Sequence, residues 1–411
     1  MHTVLKGATL IDGTDRDPLT HSVLIFDETK IVNIGTEEAI PIPDNSKVYD
    51  VSGLFIIPGL IDCHIHMDLH GMADTFQENL VKDKLRAIRT AKEMEDTLRA
   101  GYTTVRNLGS VNGIDFAVRQ AIDAGWVKGP RIITSGKIIC MTCSGTEYFS
   151  GMYRIADGVD ENRKAAREQL KAGADVLKVM ATGAIMNPGG VPGAAQLGVD
   201  EMRAVIEEGA KLGIPTAAHA HGAQGIKNAV EAGVATIEHG TMADDEAIEM
   251  MVKKNVFLVP TLLVDNLICK AGERNEIPAF MVEKAERIKE KRHLVFKKAI
   301  SAGVKIAMGT DAGTPFNFHG KNSMELDLYV REKLMTPLKA LQTATRDAAE
   351  AIGLSDRLGT LEKNKIADCL VLGKNPLEDI GCLLDLKNIR MVFKQGMLQK
   401  GWSGNGHAAN D

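Results

Sequence analysis

The apolar positions of this chain follow one period at its two ends and another in between. From residue 3 to 52 they fall in short runs: Val4-Leu5, then 9 to 11, 22 to 26, 31 to 34 and 47 to 51, with Asp12-Gly13 and Asp27-Glu-Thr-Lys30 as turns. The same texture returns between 358 and 400, in residues 367 to 372, 389 to 394 and 397 to 399, about a Gly373-Lys-Asn-Pro376 turn. Neither set can cover both faces of a sheet alone, so the two ends are expected to build one small β-sandwich from residues 1–57 plus 358–400. Residues 401–411, rich in Gly, Asn and Ala, read as a mobile tail.

In the middle the pattern alternates between strand and helix. Leu80, Leu85, Ile88, Ala91, Met94 and Leu98 recur mostly three and four apart, which predicts a helix over 78–100. Similar helical stretches cover 113–124, 161–172, 200–212, 223–232, 244–254, 280–302, 322–334 and 337–352. Short apolar strands alternate with them at 56–62, 103–106, 131–135, 175–180, 214–218, 235–238, 256–260 and 304–309. Eight strands separated by helices predict an α/β chain whose residues 58–357 form a (β/α)8 TIM barrel. An open doubly wound sheet is the competing architecture, but the first strand lacks the Gly-rich phosphate turn of that fold.

Composition narrows the functional classes. The 411 residues are 44% hydrophobic, enough for a sizeable core, while aromatics make up 4% and so do not favour recognition by stacking on bases or sugars. Charge is balanced, 49 basic against 54 acidic residues, with no long basic run, which argues against nucleic acid and anionic membrane as partners. No signal-like start and no apolar run of membrane-spanning length occurs, so a cytoplasmic protein acting on a small molecule is expected. Of the six cysteines only Cys140 and Cys143 form a C-x-x-C, and no second pair accompanies it as a zinc knuckle needs.

Chemistry concentrates where the expected strands end. His64 and His66, spaced i, i+2, share one face of the first strand, as two ligands of one cation require. Lys178 sits inside the apolar fourth strand; burial lowers a lysine's pKa, and a neutral amine can take up carbon dioxide as a carbamate whose two oxygens bridge two cations. His219, His239 and Asp311 follow the fifth, sixth and eighth strands, each with glycine nearby. Taken singly, these residues also fit a packed histidine pair, or a lysine turned outward or paired with an acid. Six ligand-capable side chains at corresponding strand ends instead predict a metal centre.

These motifs resemble the amidohydrolase superfamily over almost the whole chain: Pro58-Gly-Leu-Ile-Asp-Cys-His-Ile-His66, Lys178, His219, His239 and Asp311 match its pattern in order, and Ala367-Asp368 resembles its small-domain motif. Thr103-Thr-Val-Arg106, Leu177-Lys-Val-Met-Ala-Thr-Gly183, His219-Ala-His-Gly222 and Gly309-Thr-Asp-Ala312 are most similar to imidazolonepropionase-related Xaa-Pro dipeptidases and carboxypeptidases, the prolidase-like enzymes. The resemblance implies a hydrolase of dipeptides or N-acyl amino acids working by attack of a metal-bridging hydroxide. His64, His66 and Asp311 would hold one divalent cation and His219 and His239 the other, with carbamylated Lys178 between them and Asp311 as the catalytic proton carrier. The donor types suit zinc, with manganese and iron as alternatives. A homo-oligomer is compatible with the family.

Other assignments stay open. His221 shares a face with His219 and competes with it as ligand; the superfamily's ligand lies at the first position, which favours His219 and leaves His221 as a candidate substrate contact. Mononuclear deaminases, and imidazolonepropionase itself, carry an acid where this chain has Gly222, which argues for two metals. Where relatives read Thr-Gly-Gly-His, residues 141–148 read Met-Thr-Cys-Ser-Gly-Thr-Glu-Tyr, with no histidine to touch the substrate. Tyr148 or Arg154 could fill that role. Residues 182–193 are expected to cover the metals, and His319 to orient a substrate carboxylate. His2, His21, His70, His293 and His407 read as surface or packing residues. A lactonase or organophosphate-type esterase would use the same centre, and a non-catalytic scaffold would be expected to lack some of the ligands, all of which are intact here.

Overall fold

The computed structural model describes residues 2–401, apart from the side chain of Glu290. The expected tail therefore lies, from residue 402 on, outside the described residues. Five strands open the chain: β1 Thr3–Leu10, β2 Leu19–Asp27, β3 Lys30–Thr36, β4 Lys47–Asp50 and β5 Phe55–Pro58. Nine follow in the middle: β6 Leu60–Ile65, β7 Tyr102–Asn107, β8 Arg131–Thr134, β9 Ile138–Cys140, β10 Tyr153–Ile155, β11 Leu177–Met180, β12 Thr216–Gly222, β13 Thr236–Met242 and β14 Phe257–Val259. Three more close it: β15 Cys369–Leu372, β16 Ile389–Lys394 and β17 Met397–Lys400.

The two chain ends share one sheet in the order β17-β16-β15-β5-β1-β2-β3, with β4 also pairing to β1. The expected sandwich thus takes the form of a single sheet that branches at β1. Its core mixes both ends: Leu5, Leu24, Phe26 and Ile56 pack with Val371, Met391 and Phe393, and the Phe26 and Phe393 rings meet edge-on at 5.2 Å. This sheet is tied to the middle of the chain by Gly59 N–H donating to Asp368 O (2.9 Å), Arg131 pairing with Asp368 (2.8 Å) and Lys394 Nζ donating to Gly129 O (2.8 Å).

The middle is α/β with parallel strands. One sheet runs β10-β9-β11-β12-β13-β14 and another β6-β7-β8. The segment expected as an eighth strand, 304–309, forms one isolated parallel bridge, Leu258 with Ile306, instead of a ladder, and a second, Ile65 with Ala312, follows it. Two residues hold it against β6. Asp62 accepts from Thr310 Oγ1 and Asn322 Nδ2, both at 2.6 Å, and Cys63 N–H donates to Met308 O at 2.9 Å.

The helices differ from expectation in three places. The 78–100 stretch is a short 3-10 turn Thr75–Leu80 followed by the helix Asp83–Arg99, whose buried face is Arg86, Thr90, Met94, Thr97 and Leu98. Leu80, Leu85 and Ile88, 61–72% exposed, point outward because Arg86 is drawn in to donate to the Asp68 and Glu78 carbonyls. The 337–352 stretch breaks at Thr345 into Pro337–Thr343 and Arg346–Ala351. A further helix, Leu262–Gly272, has no counterpart among the expected elements; its three polar residues, Asp265, Asn266 and Lys270, are too few among apolar ones to mark a helical period over so short a run.

Candidate metal centre

The C-terminal ends of β6, β11, β12 and β13 and the segment after residue 309 converge on one cavity of about 600 Å³, open mouth included. His64, His66, Lys178, His219, His221, His239 and Asp311 all line it. His64 and His66 present their Nε2 atoms to Asp311 Oδ1 at 3.5 and 3.4 Å. The His64 and His239 rings lie 5.1 Å apart, His219 and His239 4.7 Å, and His219 and His221 4.7 Å. Ligand atoms of His64, His239 and Asp311 fall within 4.8 Å of one another, as do those of His219, His221 and His239.

Backbone strain helps to place two of these residues. His239 (φ 71°) and Asp311 (φ 61°) occupy the left-handed region, uncommon for non-glycine residues and concentrated at functional sites. Asp311 is held there by its own N–H donating to His64 O at 2.7 Å, and His66 N–H reciprocates to Ala312 O at 2.8 Å.

Each imidazole has one nitrogen fixed from behind, which fixes the other as the free one. His64 Nδ1 donates to Glu238 Oε2 (2.8 Å) and His66 Nδ1 to Gly109 O (3.2 Å). His221 Nδ1 meets Thr241 Oγ1 at 2.9 Å, and His239 Nδ1 meets Thr261 Oγ1 at 2.7 Å. His219 is the exception: its Nε2 donates to Gly183 O at 3.3 Å and leaves Nδ1 free. Burial, with Lys178 and neighbouring imidazoles adding to it, holds His66, His219 and His239 well below the usual value; burial and Lys178 bring His221 to about 3 and His64 to about 4. Five neutral rings therefore face the cavity with lone pairs available.

Lys178 and Asp311 complete the donor set. Lys178 Nζ is buried without a hydrogen-bond partner, and burial pulls its pKa below that of a free lysine against the opposing pull of Glu238 and Asp311. Burial pushes the Asp311 carboxyl above the usual range against the attraction of Lys178, and its Oδ1 too has no hydrogen-bond donor. Neutral imidazoles, a carboxylate oxygen and an unpartnered amine around one cavity fit divalent cations.

Of the expected substrate contacts the cavity takes in His221 but not Tyr148, Arg154 or His319. His221 stacks on His239 at 4.9 Å inside the cavity. Tyr148 is not among its lining residues; its hydroxyl donates to Asp74 Oδ1 at 2.6 Å and its ring packs on Phe76 and Phe280. Arg154 is bound to Glu168 (2.6 Å) beside a separate depression with Phe116 and Lys137, so the structure does not bring it to the centre. His319 is buried behind the wall, its Nε2 donating to Leu69 O at 3.0 Å. In the 182–193 segment, Ala184 to Asn187 line the cavity, and Lys284 Nζ donates to Asn187 O at 2.6 Å.

Several participants are not singled out by the sequence reading. Glu238 on β13 bridges His64 and Arg106, whose Nη2 lies 2.9 Å from Glu238 Oε1 while its Nε donates to Cys63 O at 2.6 Å. The detectable signal is the one that marks Lys178, a charged residue inside an apolar strand. Asp265, an acid inside the apolar run 262–268, lines the cavity and carries the same signal, while Tyr153 and Asn187 also line it and nothing in their local sequence marks them.

The fold and this constellation define an amidohydrolase-type hydrolase. The model of the Amidohydrolase family matches residues 55–398, and the chain belongs to that family. It is 31% identical over 430 residues to the ochratoxinase of Aspergillus niger, covering 97% of this chain and 87% of that protein. The structure of a Xaa-Pro dipeptidase with methionine in its active site superposes with a TM-score of 0.89 at 32% identity, covering 97% and 99% of the two chains. A prolidase complexed with N-methylphosphonate-L-proline matches equally, with TM-score 0.89, 32% identity and the same coverage.

Proposed function

We propose that this protein cleaves the amide bond of a dipeptide or N-acyl amino acid at a centre of two divalent cations, zinc by the nature of the donors. The observation that carries this reading is the buried, unpartnered Lys178 amine among five neutral imidazoles and Asp311. The ochratoxinase, Xaa-Pro dipeptidase and prolidase relatives support the amide substrate class. In this reading the two parallel sheets and residues 304–312 are arcs of one (β/α)8 barrel over 58–357, and the sheet from both chain ends is a separate small domain.

His64, His66 and Asp311 would hold one cation and His219 and His239 the other. Lys178, its amine kept partly neutral by burial, would take up carbon dioxide with its proton passing to solvent, and as a carbamate would offer two further oxygen ligands to the cations. His221, with its Nδ1 at Thr241, is the alternative to His219. When bound, the cations supply Lewis acidity, making water nucleophilic near neutral pH and polarising the amide carbonyl. Asp311 takes the proton released as water adds to the carbonyl carbon and delivers it to the amide nitrogen, so that a neutral amine departs. The apolar wall of Leu69, Ile138, Phe149, Met152 and Ile185 excludes bulk water from that transfer.

The test is turnover of a library of dipeptides and N-acyl amino acids, with metal content measured on the same sample. Two cations per chain with amino acid release is the expected result. Metal-loaded protein that leaves every amide intact but opens lactones or phosphoesters would overturn the amide reading. Lys178→Ala with full metal content and activity would remove the carbamate from it.

A further inference from the structure

The metal-centre roles leave one charged group of the cavity unused. Asp265, on the helix Leu262–Gly272, lines the same cavity as the histidines, in a wall that is otherwise mainly apolar. Its Oδ2 lies 3.0 Å from Arg292 Nη1, and Arg292 Nη2 donates to Asn266 Oδ1 at 2.8 Å. Arg292 is itself buried and is not among the cavity-lining residues, so the guanidinium fixes the carboxylate from behind. Asp265 Oδ1 makes no hydrogen bond among the described residues, although a carboxylate oxygen accepts two.

From this geometry we infer that Asp265 selects substrates with a free ammonium group on the acyl side of the scissile bond, that is, aminoacyl amides over N-acylated ones. The inference rests on the amide-hydrolase reading for the bond that is cut. An α-ammonium group sits on the carbon next to the scissile carbonyl, about 2.5 Å from the carbon under attack by ordinary bond lengths, and so travels with that carbonyl into the cavity. There the open oxygen of Asp265 accepts its N–H. An acyl cap replaces that donor with an uncharged group and leaves the buried carboxylate with half of its acceptor capacity unmet, which is the source of the discrimination. Among the described lining residues Lys178 is the one lysine and there is no arginine, so the cavity offers a fixed anion to the substrate and no free cation beyond the metal centre.

The experiment pairs binding with turnover on the full-length, metal-loaded protein. Calorimetry compares L-leucinol with its des-amino analogue isohexanol, neither of which has an amide to cleave, and hydrolysis compares leucyl-phenylalanine with its N-acetyl derivative. The expected preference for the amine-bearing member is about 10- to 100-fold in each pair, the fold-change of a charge-assisted hydrogen bond. Asp265→Asn should abolish both preferences. Asp265→Asn combined with Arg292→Met, which leaves no uncompensated guanidinium, should do the same in a stably folded protein. Equal binding of the two alcohols by the unaltered protein, or a preference that survives in the double variant, overturns the inference. Peptides cleaved equally with and without the acetyl cap also overturn it while the hydrolase reading stands. A leucinol preference that disappears with Asp265, in a protein that cleaves no amide, upholds the ammonium subsite and overturns the hydrolase reading instead.

Discussion

Glu238→Gln tests how far the orientation of His64 depends on the carboxylate behind it. Glu238 is fully buried between Arg106 Nη2 at 2.9 Å and His64 Nδ1 at 2.8 Å. Burial works to raise its carboxyl, but Arg106 and then His64 outweigh it and hold the pKa at about 2. A carboxamide can turn its oxygen toward only one of these donors. Turned to Arg106, it sets its own N–H₂ against His64 Nδ1, which favours the tautomer that protonates Nε2, the atom facing Asp311. Turned to His64, it sets two donors against each other at Arg106. Either choice leaves the guanidinium without its counter-charge, a loss of about 3 kcal/mol in stability, and loosens a ligand, a loss of about 10- to 100-fold in metal affinity. The pH dependence follows from the direction of the shift. The folded pKa lies below the ordinary carboxylate value, so the ionised Glu238 contributes fully above about pH 5 and its contribution is lost as pH falls through about 2. The penalty should therefore be flat from about pH 5 to 8 and shrink in acid. Competition titration with a chromogenic chelator and denaturant unfolding at several pH values measure both quantities. Unchanged affinity together with an unchanged unfolding midpoint would refute the argument that this carboxylate positions His64.

Three further outcomes follow from individual side chains. A Cβ at Gly309 would lie 2.5 Å from Val259 Cγ1 and 2.8 Å from His64 Cβ, so Gly309→Ala should cost about 1–3 kcal/mol by overpacking and weaken metal binding in a titration. Arg154→Ala should leave KM for any substrate within about twofold, because its guanidinium is committed to Glu168 away from the cavity and such surface pairs contribute little; a large rise in KM would return Arg154 to the substrate. Glu208 is held at about 2 by Arg167 and Lys211 and then Arg163, against burial. Its stabilisation is thus present above the ordinary glutamate value and lost as pH falls toward 2, and Glu208→Gln should lower stability by about 1 kcal/mol near neutrality and by less at pH 3, read by denaturant unfolding.

Much of the fold is legible in the sequence because its period changes are long. The short strands at both ends and the strand–helix alternation between them each repeat often enough for one misread element not to alter the architecture. The failures are local and have physical causes. Periodicity turns the apolar stripe of the 78–100 helix inward, but Arg86 and Thr90 occupy the buried face, since backbone carbonyls at Asp68 and Glu78 offer the guanidinium partners that periodicity cannot register. The helix Leu262–Gly272 escapes notice because its three polar residues are too few over eleven positions to mark a helical period. Residues 304–309 are strand-like in sequence yet make only one isolated bridge, their position being set instead by Asp62 and its partners Thr310 and Asn322.

The site shows where reading from the chain stops. Histidines and a lysine that end apolar strands can be found because strand geometry dictates which way they point, and all six expected ligand-capable side chains line one cavity. Tyr148 lies on a 3-10 turn, Thr146–Phe149, Arg154 on the three-residue edge strand β10 and His319 on a loop, elements too short for the sequence to give a direction as well as a residue type. Tyr148 is taken by Asp74, Arg154 by Glu168 and His319 by the Leu69 carbonyl. Glu238 and Asp265 lie between these cases. Both are acids in apolar surroundings, which sequence can flag; what separates them is the partner, an arginine 132 residues away for Glu238 and one on the neighbouring helix for Asp265. Glu238 uses both oxygens and so serves to orient His64. Asp265 uses one, and its unused oxygen is the feature that makes substrate selection, rather than support, its role.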